Sequence, residues 1–458
     1  MAERLAARAV IALVTDDFTP LRPPSGAVAP APDGPIGWAG YDASRARAAE
    51  ATGVEESVVY GTATVGGRAV VLVAFEFGFL GGSLGRAAGD RLVAAYGTAA
   101  ERRLPLVSLV ATGGSRMQEG MVALTQLQRV AAATVRLRES GVPHVAVLRD
   151  PSTGGGWATV GAGADVVLAL PGAQVAFAGS RVRPQHADPA AYTAEDQWRH
   201  GHVDALVPPE ELRDTLALWL RLLTASTVPS QGGGRESGGP APAPPPRALV
   251  TVGPSGTGWA AVTRARDPRR ARAGAYLDAY FEERAAVRGD RAGGVDPGVE
   301  CGFGVHDGRV VAYAAQDGSA TRPAGFRTAA RLVRLADRLG IPVLTLVDTP
   351  GAANDAEAER SGAGPAIADA FTAIAGARVP VTSLLIGEGG SGGALALAAP
   401  GNTWATPDSY FSVIAPELAA AILKRTPDQA PATADQLRLR PQDLVELGVV
   451  RGIVTREG

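Results

Sequence analysis

Short apolar runs alternate with longer helical patterns along most of this chain. Four runs have the length of buried strands: "LVSLV" (106–110), "HVAVL" (144–148), "VLTLV" (343–347) and "VTSLL" (381–385). Between them, two segments place apolar residues every three or four positions, as helices packed on one face do: "MVALTQLQRVAAATVRLRES" (121–140) and "GFRTAARLVRLADRL" (325–339). Strands alternating with helices in this way predict an α/β layered fold.

The same pattern recurs at a constant spacing. Pro105 and Pro342 each precede a strand run, and they lie 342 − 105 = 237 residues apart. Further positions coincide at this shift: Pro143 with Pro380, Thr112 with Thr349, Gly114 with Gly351, and Gly155–Gly156 with Gly392–Gly393. Several matches at one spacing predict that the two halves arose by internal duplication.

The composition of the segment 227–248 predicts the boundary between the halves. It contains no valine, leucine or isoleucine after Val228 and consists mainly of Gly, Pro, Ser and Ala. Such a segment lacks the side chains to bury a face, and we expect a flexible linker with a stiffer proline-rich end. The predicted domains are therefore 1–226 and 249–458.

Composition and charge narrow the class of protein. The chain of 458 residues is 46% hydrophobic and 20% charged, as ordinary globular proteins are, and its net charge of −2 gives no electrostatic reason to expect nucleic acid or a membrane surface. One cysteine, Cys301, excludes an intrachain disulfide framework and a multi-cysteine zinc site. The N-terminus does not resemble a signal peptide. We expect a cytoplasmic protein without a metal.

Two glycine-rich strings follow strand runs: "DPSTGGG" (150–156) and "GEGGSGGA" (387–394). A glycine-rich turn between a strand and a helix presents backbone N–H groups to an anion, although such glycines can also serve close packing alone. A phosphate-binding P-loop requires a lysine after the turn, and the sole lysine, Lys424, lies elsewhere. A dinucleotide fingerprint lacks its acidic residue.

Two readings of the turns remain. A nucleophile elbow, G-x-S-x-G, fits Ser391 and Ser83, but no histidine follows Ser391, which argues against a hydrolase of that type. The other reading is a pair of oxyanion holes, in which backbone N–H groups hold the developing negative oxygen of a carbonyl compound. Two holes predict two such compounds.

Several long strings resemble the carboxyltransferase component of acetyl-CoA carboxylase. Those similar to its β subunit are "FEFGFLGGSLG" (75–85), "ATGGSRMQEG" (111–120), "DPSTGGG" and "FAGSRV" (177–182), and those similar to its α subunit are "VDTPGA" (347–352), "IGEGGSGGALAL" (386–397) and "FSVIAPE" (411–417). The resemblance implies a β–α fusion of two crotonase-like domains. It also implies transfer of CO2 from carboxybiotin to the α-carbon of an acyl-CoA, with acetyl-CoA to malonyl-CoA as the leading expectation.

The resemblance assigns roles to individual residues. Gly154–Gly155 would hold the thioester oxygen, although the internal repeat favours Gly155–Gly156, and Gly392–Gly393 would hold the ureido oxygen of biotin. On the CoA side the binding residues would be Gly113, Gly114, Ser115 and Arg116, with the two glycines beginning a helix; on the biotin side they would be Gly389, Gly390 and Ser391. Arg116 could instead pair with a structural acid. Glu119 and Glu388 are expected to brace a helix start and a turn.

The chain also departs from the family. It lacks the four-cysteine zinc ribbon of bacterial β subunits, its residues 1–55 match only loosely, and "DGSATRPAGFR" (317–327) replaces a longer basic loop. Lys424 has no flanking methionine, so we expect no biotin on this chain and a separate biotin carboxylase and carrier protein. The resemblance also implies a homodimer or larger assembly. Two alternatives stay open: a biotin-independent malonyl-thioester decarboxylase and a non-catalytic scaffold. The sequence does not specify the acyl chain.

Overall fold

A computed structural model describes residues 4–22, 31–224, 239–250 and 253–456. The chain divides into two compact units, Met1–Thr224 and Ala225–Gly458. Each unit is built on one eight-stranded mixed sheet. Among the residues described, no helix is both long enough and apolar enough to cross a membrane.

The first unit contains eight strands and eight α-helices within its described residues. The strands are β1 (Asp17–Pro20), β2 (Val58–Val65), β3 (Arg68–Phe75), β4 (Leu106–Thr112), β5 (His144–Thr153), β6 (Val166–Ala169), β7 (Val175–Ala176) and β8 (Ala205–Leu206). The helices are α1 (Ala7–Val14), α2 (Tyr41–Thr52), α3 (Arg86–Arg102), α4 (Gly120–Leu124), α5 (Gln126–Glu139), α6 (Gly154–Gly156), α7 (Ala194–Arg199) and α8 (Leu212–Thr224).

The sheet of this unit has the order β1-β2-β3-β4-β5-β6-β8, with β7 beside the end of β5. The first three strands are antiparallel, and the others run parallel from β3 onward. All seven residues of β4 are buried. Helices on a parallel sheet cover both of its faces, which explains why the apolar run at 106–110 is continuous rather than alternating.

The second unit repeats this plan. Its strands are β9 (Glu283–Val287), β10 (Val299–His306), β11 (Arg309–Gln316), β12 (Val343–Thr349), β13 (Val381–Gly390), β14 (Thr403–Ala405), β15 (Tyr410–Ser412) and β16 (Gly452–Ile453). Its helices are α9 (Gly258–Ala265), α10 (Ala273–Tyr280), α11 (Pro323–Leu339), α12 (Ala356–Arg360), α13 (Ala363–Gly376), α14 (Ser391–Leu395), α15 (Pro416–Ile422), α16 (Ala430–Gln436) and α17 (Pro441–Glu446). The sheet order is β16-β14-β13-β12-β11-β10-β9, and β15 pairs with β13.

Equivalent elements of the two units match in length and in register. Helices α3 and α11 both have 17 residues, α5 and α13 both have 14, and β5 and β13 both have 10. Each of these pairs starts 237 residues apart, since 323 − 86 = 237, 363 − 126 = 237 and 381 − 144 = 237. The predicted fold, two tandem α/β domains of one plan, is confirmed.

The proline-rich end of the expected linker differs from the prediction. Ala243 and Ala248 are buried in the core of the second unit, beside Tyr276 and Tyr280 of α10. Tyr280 also donates a hydrogen bond to the carbonyl of Pro244 at 2.9 Å. Alanine methyl groups and proline rings bury apolar surface without long side chains, so this part packs on the second unit. The rest of the expected linker, 227–238, lies outside the described residues.

Candidate active site

The two glycine turns occupy equivalent places, at the carboxyl ends of β5 and β13. Each strand is followed at once by a short helix, α6 or α14. The first residue of each turn has a left-handed backbone, with φ of 64° at Gly154 and 55° at Ser391. This conformation reverses the chain sharply. The next two residues therefore lie in the first turn of a helix, where N–H groups have no acceptor within the helix.

The N–H groups of these next residues are unpaired. Among the described residues, no backbone or side-chain acceptor meets the N–H of Gly155, Gly156, Gly392 or Gly393. The N–H of Gly154, in contrast, donates to the carbonyl oxygen of Phe177 at 3.0 Å. Of the two registers considered for the first turn, the available donors therefore favour Gly155–Gly156.

Close packing explains why several of these positions are glycine. A Cβ atom on Gly156 would collide with the Thr112 side chain, and one on Gly393 would collide with the backbone of Ala352. On Gly155 it would lie 2.5 Å from Leu127. A Cβ on Gly392, however, would meet nothing within 4 Å. The second turn is therefore open at Gly392, whereas the equivalent position of the first turn, Gly155, is covered by the Leu127 side chain.

The loop after β4 does not begin a helix at Gly113 and Gly114, which corrects the prediction. Leu84 and Ser115 form an isolated parallel bridge, and the N–H of Gly113 donates to Gly81 at 2.8 Å. The N–H of Gly114 donates to the Thr112 hydroxyl at 3.0 Å. Because these donors are engaged, the chain turns helical only at Met117–Glu119 and then in α4.

Arg116 is a structural residue in this unit. Its guanidinium is buried and makes a bidentate contact with Glu56, with Nη1 3.0 Å from Oε2 and Nη2 in a shorter contact with Oε1. It also donates to the hydroxyls of Tyr41, Ser57 and Ser83. Burial alone would raise the pKa of Glu56, but the hydrogen bonds and charge of Arg116 outweigh it and hold that pKa below its usual range. These contacts leave no donor for a ligand.

Tyr41 and Glu56 were missed by the sequence reasoning. The Tyr41 hydroxyl donates to Glu119 Oε1 at 2.6 Å, and Glu119 Oε2 accepts from the N–H of Arg86 at 2.6 Å, at the start of α3. Glu119 thus braces a helix start, as expected. The charged pair "EE" at 55–56, directly before a strand, was the available signal, but it did not identify a partner.

A second buried ion pair underlies the other turn. Asp348, at the end of β12, is fully buried, and its Oδ2 lies 2.6 Å from Nη2 of Arg270. Asp348 Oδ1 also accepts from the N–H of Glu388 at 3.1 Å. Burial raises the pKa of Asp348 despite the neighbouring Arg270 and Arg272. Gly387 lies against this pair, and a Cβ there would collide with both members.

Glu388 braces the second turn, as expected. Its Oε2 accepts from Tyr410 Oη at 2.7 Å and from Arg266 Nε at 2.8 Å, and Arg266 also pairs with Glu417. Gly389 and Gly390 lie inside β13 and are buried. A Cβ on Gly390 would collide with the carbonyl of Pro350, so within this unit these two glycines serve packing.

The two serines of the elbow motif differ in their surroundings. Ser83 accepts from Arg116 Nε at 3.1 Å, which gives it a structural role. Ser391 is exposed at the second turn. The buried His144 lies 2.9 Å from Ser108, outside both motifs. Among the described residues, no group of three metal-ligating side chains converges.

The fold is that of carboxyltransferases. A solved structure of transcarboxylase 12S with methylmalonyl-coenzyme A and methylmalonic acid bound superposes with a TM-score of 0.77 at 20% identity, covering 98% of this chain and 87% of that one. At this identity the likeness shows the fold alone. The chain therefore has the carboxyltransferase fold, with two crotonase-like units, and each unit has an unpaired pair of N–H groups after a central strand.

Relatives identify the family. The acetyl co-enzyme A carboxylase carboxyltransferase-like model matches residues 255–457. The β/α carboxyl transferase of acetyl-coenzyme A carboxylase from Salinispora arenicola is 42% identical over 419 residues, 88% of this chain and 74% of the relative. A probable biotin-dependent acyl-coenzyme A carboxylase β3 subunit from Mycobacterium bovis is 34% identical over 430 residues, 90% and 83% of the two chains. The chain belongs to the acyl-CoA carboxylase carboxyltransferases, and within them to the fused β/α type.

Proposed function

We propose that this chain moves CO2 from carboxybiotin on a carrier protein to the α-carbon of an acyl-CoA, with acetyl-CoA as the leading substrate and malonyl-CoA as the product. The observation that carries the proposal is the recurrence of two unpaired N–H groups after the same strand of both units. Two donor pairs suit a reaction in which two carbonyl oxygens become negative. A decarboxylase would need one pair and a scaffold neither.

On the acyl-CoA side, Gly155 and Gly156 would hold the thioester oxygen while the α-carbon carries the charge of an enolate. Helical N–H groups at a helix start are already oriented, so they need no rearrangement as the charge develops. Gly113 and Ser115 of the neighbouring loop would contact the CoA thioester. Arg116 would act indirectly, by fixing that loop to Glu56.

On the biotin side, Gly392 and Gly393 would hold the ureido oxygen, and Ser391 would line the same turn. Carboxybiotin, held at this turn, would supply the CO2, and its ureido nitrogen would be the base for the α-proton of the thioester. The open space at Gly392 fits a ring that approaches the backbone closely. The residues of the chain bind and orient the two substrates and need not supply a general base.

The carrier and the biotin carboxylase would be separate proteins. Lys424, the sole lysine, follows α15 with the sequence "AAILKRTPD" (420–428), which lacks the methionines of a biotin attachment hairpin. The chain would act as a homodimer or larger assembly.

The direct test is transfer from carrier-bound carboxybiotin to a panel of acyl-CoAs of increasing chain length. We expect malonyl-CoA from acetyl-CoA, and none from acetyl-CoA and bicarbonate when carrier and biotin carboxylase are omitted. Transfer to a longer acyl-CoA alone would correct the substrate and retain the reaction. Absence of transfer with every acyl-CoA, by folded protein and competent carrier, would refute the proposal.

A streptavidin blot after expression beside a biotin ligase tests the need for a carrier. We expect no signal from this chain and a strong signal from a carrier protein processed in parallel. A biotinylated Lys424 would show that the chain carries its own prosthetic group.

A further inference from the structure

Gln316, the last residue of β11, is a fully buried amide next to the second glycine turn. Its Nε2 lies 3.0 Å from the hydroxyl of Thr321 and 3.3 Å from the carbonyl oxygen of Gly393. Its Oε1 accepts from the N–H of Asp348 at 3.3 Å. One side chain therefore connects the turn to the end of β12.

These contacts extend into the loop on which the turn packs. Thr321 Oγ1 lies 3.3 Å from Thr349 Oγ1, and the N–H of Thr321 donates to the carbonyl of Gly351 at 3.1 Å. The Thr349 hydroxyl accepts from the N–H of Gly351 at 3.1 Å. Gly393 meets this loop at Ala352. The amide thus stands where the turn, the loop and the strand ends converge.

The first unit provides an internal comparison. Val71 pairs with Leu106 and Ala312 pairs with Val343, so the residues four positions later, Phe75 and Gln316, are equivalent. Phe75 is buried in an apolar core and offers no polar atom. There the Gly155 carbonyl instead accepts from the Thr159 hydroxyl at 2.7 Å.

The equivalent of Thr159 in the second unit is Ala396, since 396 − 159 = 237, and alanine offers no hydroxyl. Each turn therefore has one polar side chain on a glycine carbonyl, the half-buried Thr159 on Gly155 and the buried Gln316 on Gly393, but from different elements. Burying an amide is costly unless its hydrogen bonds are made, and an apolar residue fills the same place in the first unit. Packing alone does not call for the amide.

We propose that Gln316 is a positioning residue for the biotin-side turn: its hydrogen bond to the Gly393 carbonyl holds the peptide group that directly follows the two donors, and so keeps the N–H groups of Gly392 and Gly393 in the orientation that receives the ureido oxygen. This inference rests on the proposed function of that turn. Gln316 would act through the backbone of the turn and would make no contact with substrate. Misplacement of a catalytic donor by a fraction of an ångström lowers the rate without changing the binding of the other substrate.

The test compares Gln316→Met, which keeps the length and removes the amide, with Asn402→Leu. The half-buried Asn402 also donates two side-chain hydrogen bonds, to Val381 and Thr382, but at the opposite end of β13, where that strand begins. With carrier-bound carboxybiotin, we expect kcat of Gln316→Met to fall about tenfold with the KM for acetyl-CoA unchanged. Asn402→Leu should lose stability and keep kcat.

A second variant keeps the test possible if Gln316→Met does not fold. Gln316→Asn keeps a buried amide but is one methylene shorter, so it cannot reach Asp348 and Gly393 together. We expect the same fall in kcat and faster amide hydrogen exchange at residues 391–395. Unchanged kcat in folded Gln316 variants, beside an inactive Gly392→Val, would overturn this inference and leave the proposed function intact. Unchanged kcat in Gln316→Met, Gln316→Asn and Gly392→Val would count against the proposed function itself.

Discussion

Each unit has a buried arginine–carboxylate pair beside the loop on which its glycine turn packs, but the positions of the two charges are exchanged between the units. In the first unit the arginine, Arg116, lies in the loop after β4, and its carboxylate, Glu56, lies just before β2. In the second unit the carboxylate, Asp348, ends β12, and its arginine, Arg270, lies upstream. Both pairs are buried beside the loop on which a glycine turn packs.

The turns themselves differ less in their donors than in their surroundings. Gly154 and Ser391 share a left-handed backbone, and two unpaired N–H groups follow each. The first turn is confined by Leu127 and tied to Phe177, whereas the second is open at Gly392. The two units therefore share the backbone donors, while the side chains around those donors differ.

Breaking the ion pair of Glu56 and Arg116 should have the largest effect. Glu56→Gln leaves a buried arginine without its countercharge, and we expect a loss of about 3 to 5 kcal/mol in the free energy of unfolding. Asp348→Asn should cost less at neutral pH, because burial disfavours the ionised form of that carboxyl. Urea unfolding of the full chain measures the loss. Asp42→Asn, which changes an exposed carboxylate, is the control and should stay near the parent. A loss below about 1 kcal/mol in both variants would mean that the pairs do not hold the loops.

Blocking the open turn should affect activity and spare stability. Gly392→Val places its side chain where carboxybiotin would bind, and we expect a loss of about 3 kcal/mol in transition-state stabilisation, near a hundredfold in rate. Folding should survive because a Cβ meets nothing within 4 Å. Gly364→Val, at another uncrowded glycine, is the control for the substitution. Full transfer by folded Gly392→Val would contradict the hole.

The matching change in the first turn needs a paired design. Gly155→Val would clash with Leu127, so it is to be made together with Leu127→Ala and compared with Leu127→Ala alone. We expect a similar hundredfold loss, about 3 kcal/mol, from the glycine change. Gly392→Val should in addition spare any biotin-independent decarboxylation of malonyl-CoA, whereas the Gly155 change should abolish it.

Exchanging the left-handed residues should give a smaller and unequal effect. Gly154→Ser combines a φ of 64° with a Cβ 2.9 Å from Gly114, and we expect a loss of about 2 kcal/mol in the free energy of unfolding. Ser391→Gly should change stability by about 0.5 kcal/mol or less, because relief of strain offsets the added chain entropy. Equal effects in calorimetry would show that the crowding at Gly154 is unimportant.

The pH dependence of stability should be the finest distinction between the units. The lowered pKa of Glu56 means that its contribution is present above its ordinary value of 4.5 and is lost as pH falls through the folded pKa. The raised pKa of Asp348 means that its contribution is present below 3.8 and weakens as pH rises through the folded pKa. Urea titrations between about pH 3 and pH 7 should show these opposite slopes disappearing in Glu56→Gln and Asp348→Asn, respectively.

The prediction of a helix at Gly113 and Gly114 shows where local reading fails. Glycines after a buried strand favour a helix start in the sequence, as they do at 154–156. Between Gly113 and Arg116, however, two backbone donors are taken by Gly81 and Leu84, which belong to another segment, and the N–H of Gly114 is taken by the nearby Thr112 hydroxyl. Competition from distant acceptors is invisible to a window of neighbouring residues.

The amino-acid sequence predicts the α/β plan, the 237-residue repeat and the two glycine turns, because apolar periodicity and glycine content are local properties that recur wherever an element does. The tertiary structure sets which N–H groups remain free, that Arg116 meets Glu56 and Tyr41, and that Gln316 reaches Gly393. These contacts join residues up to 77 positions apart in the chain. Their partners are set by how strands and loops converge in space, and no spacing along the sequence records that convergence.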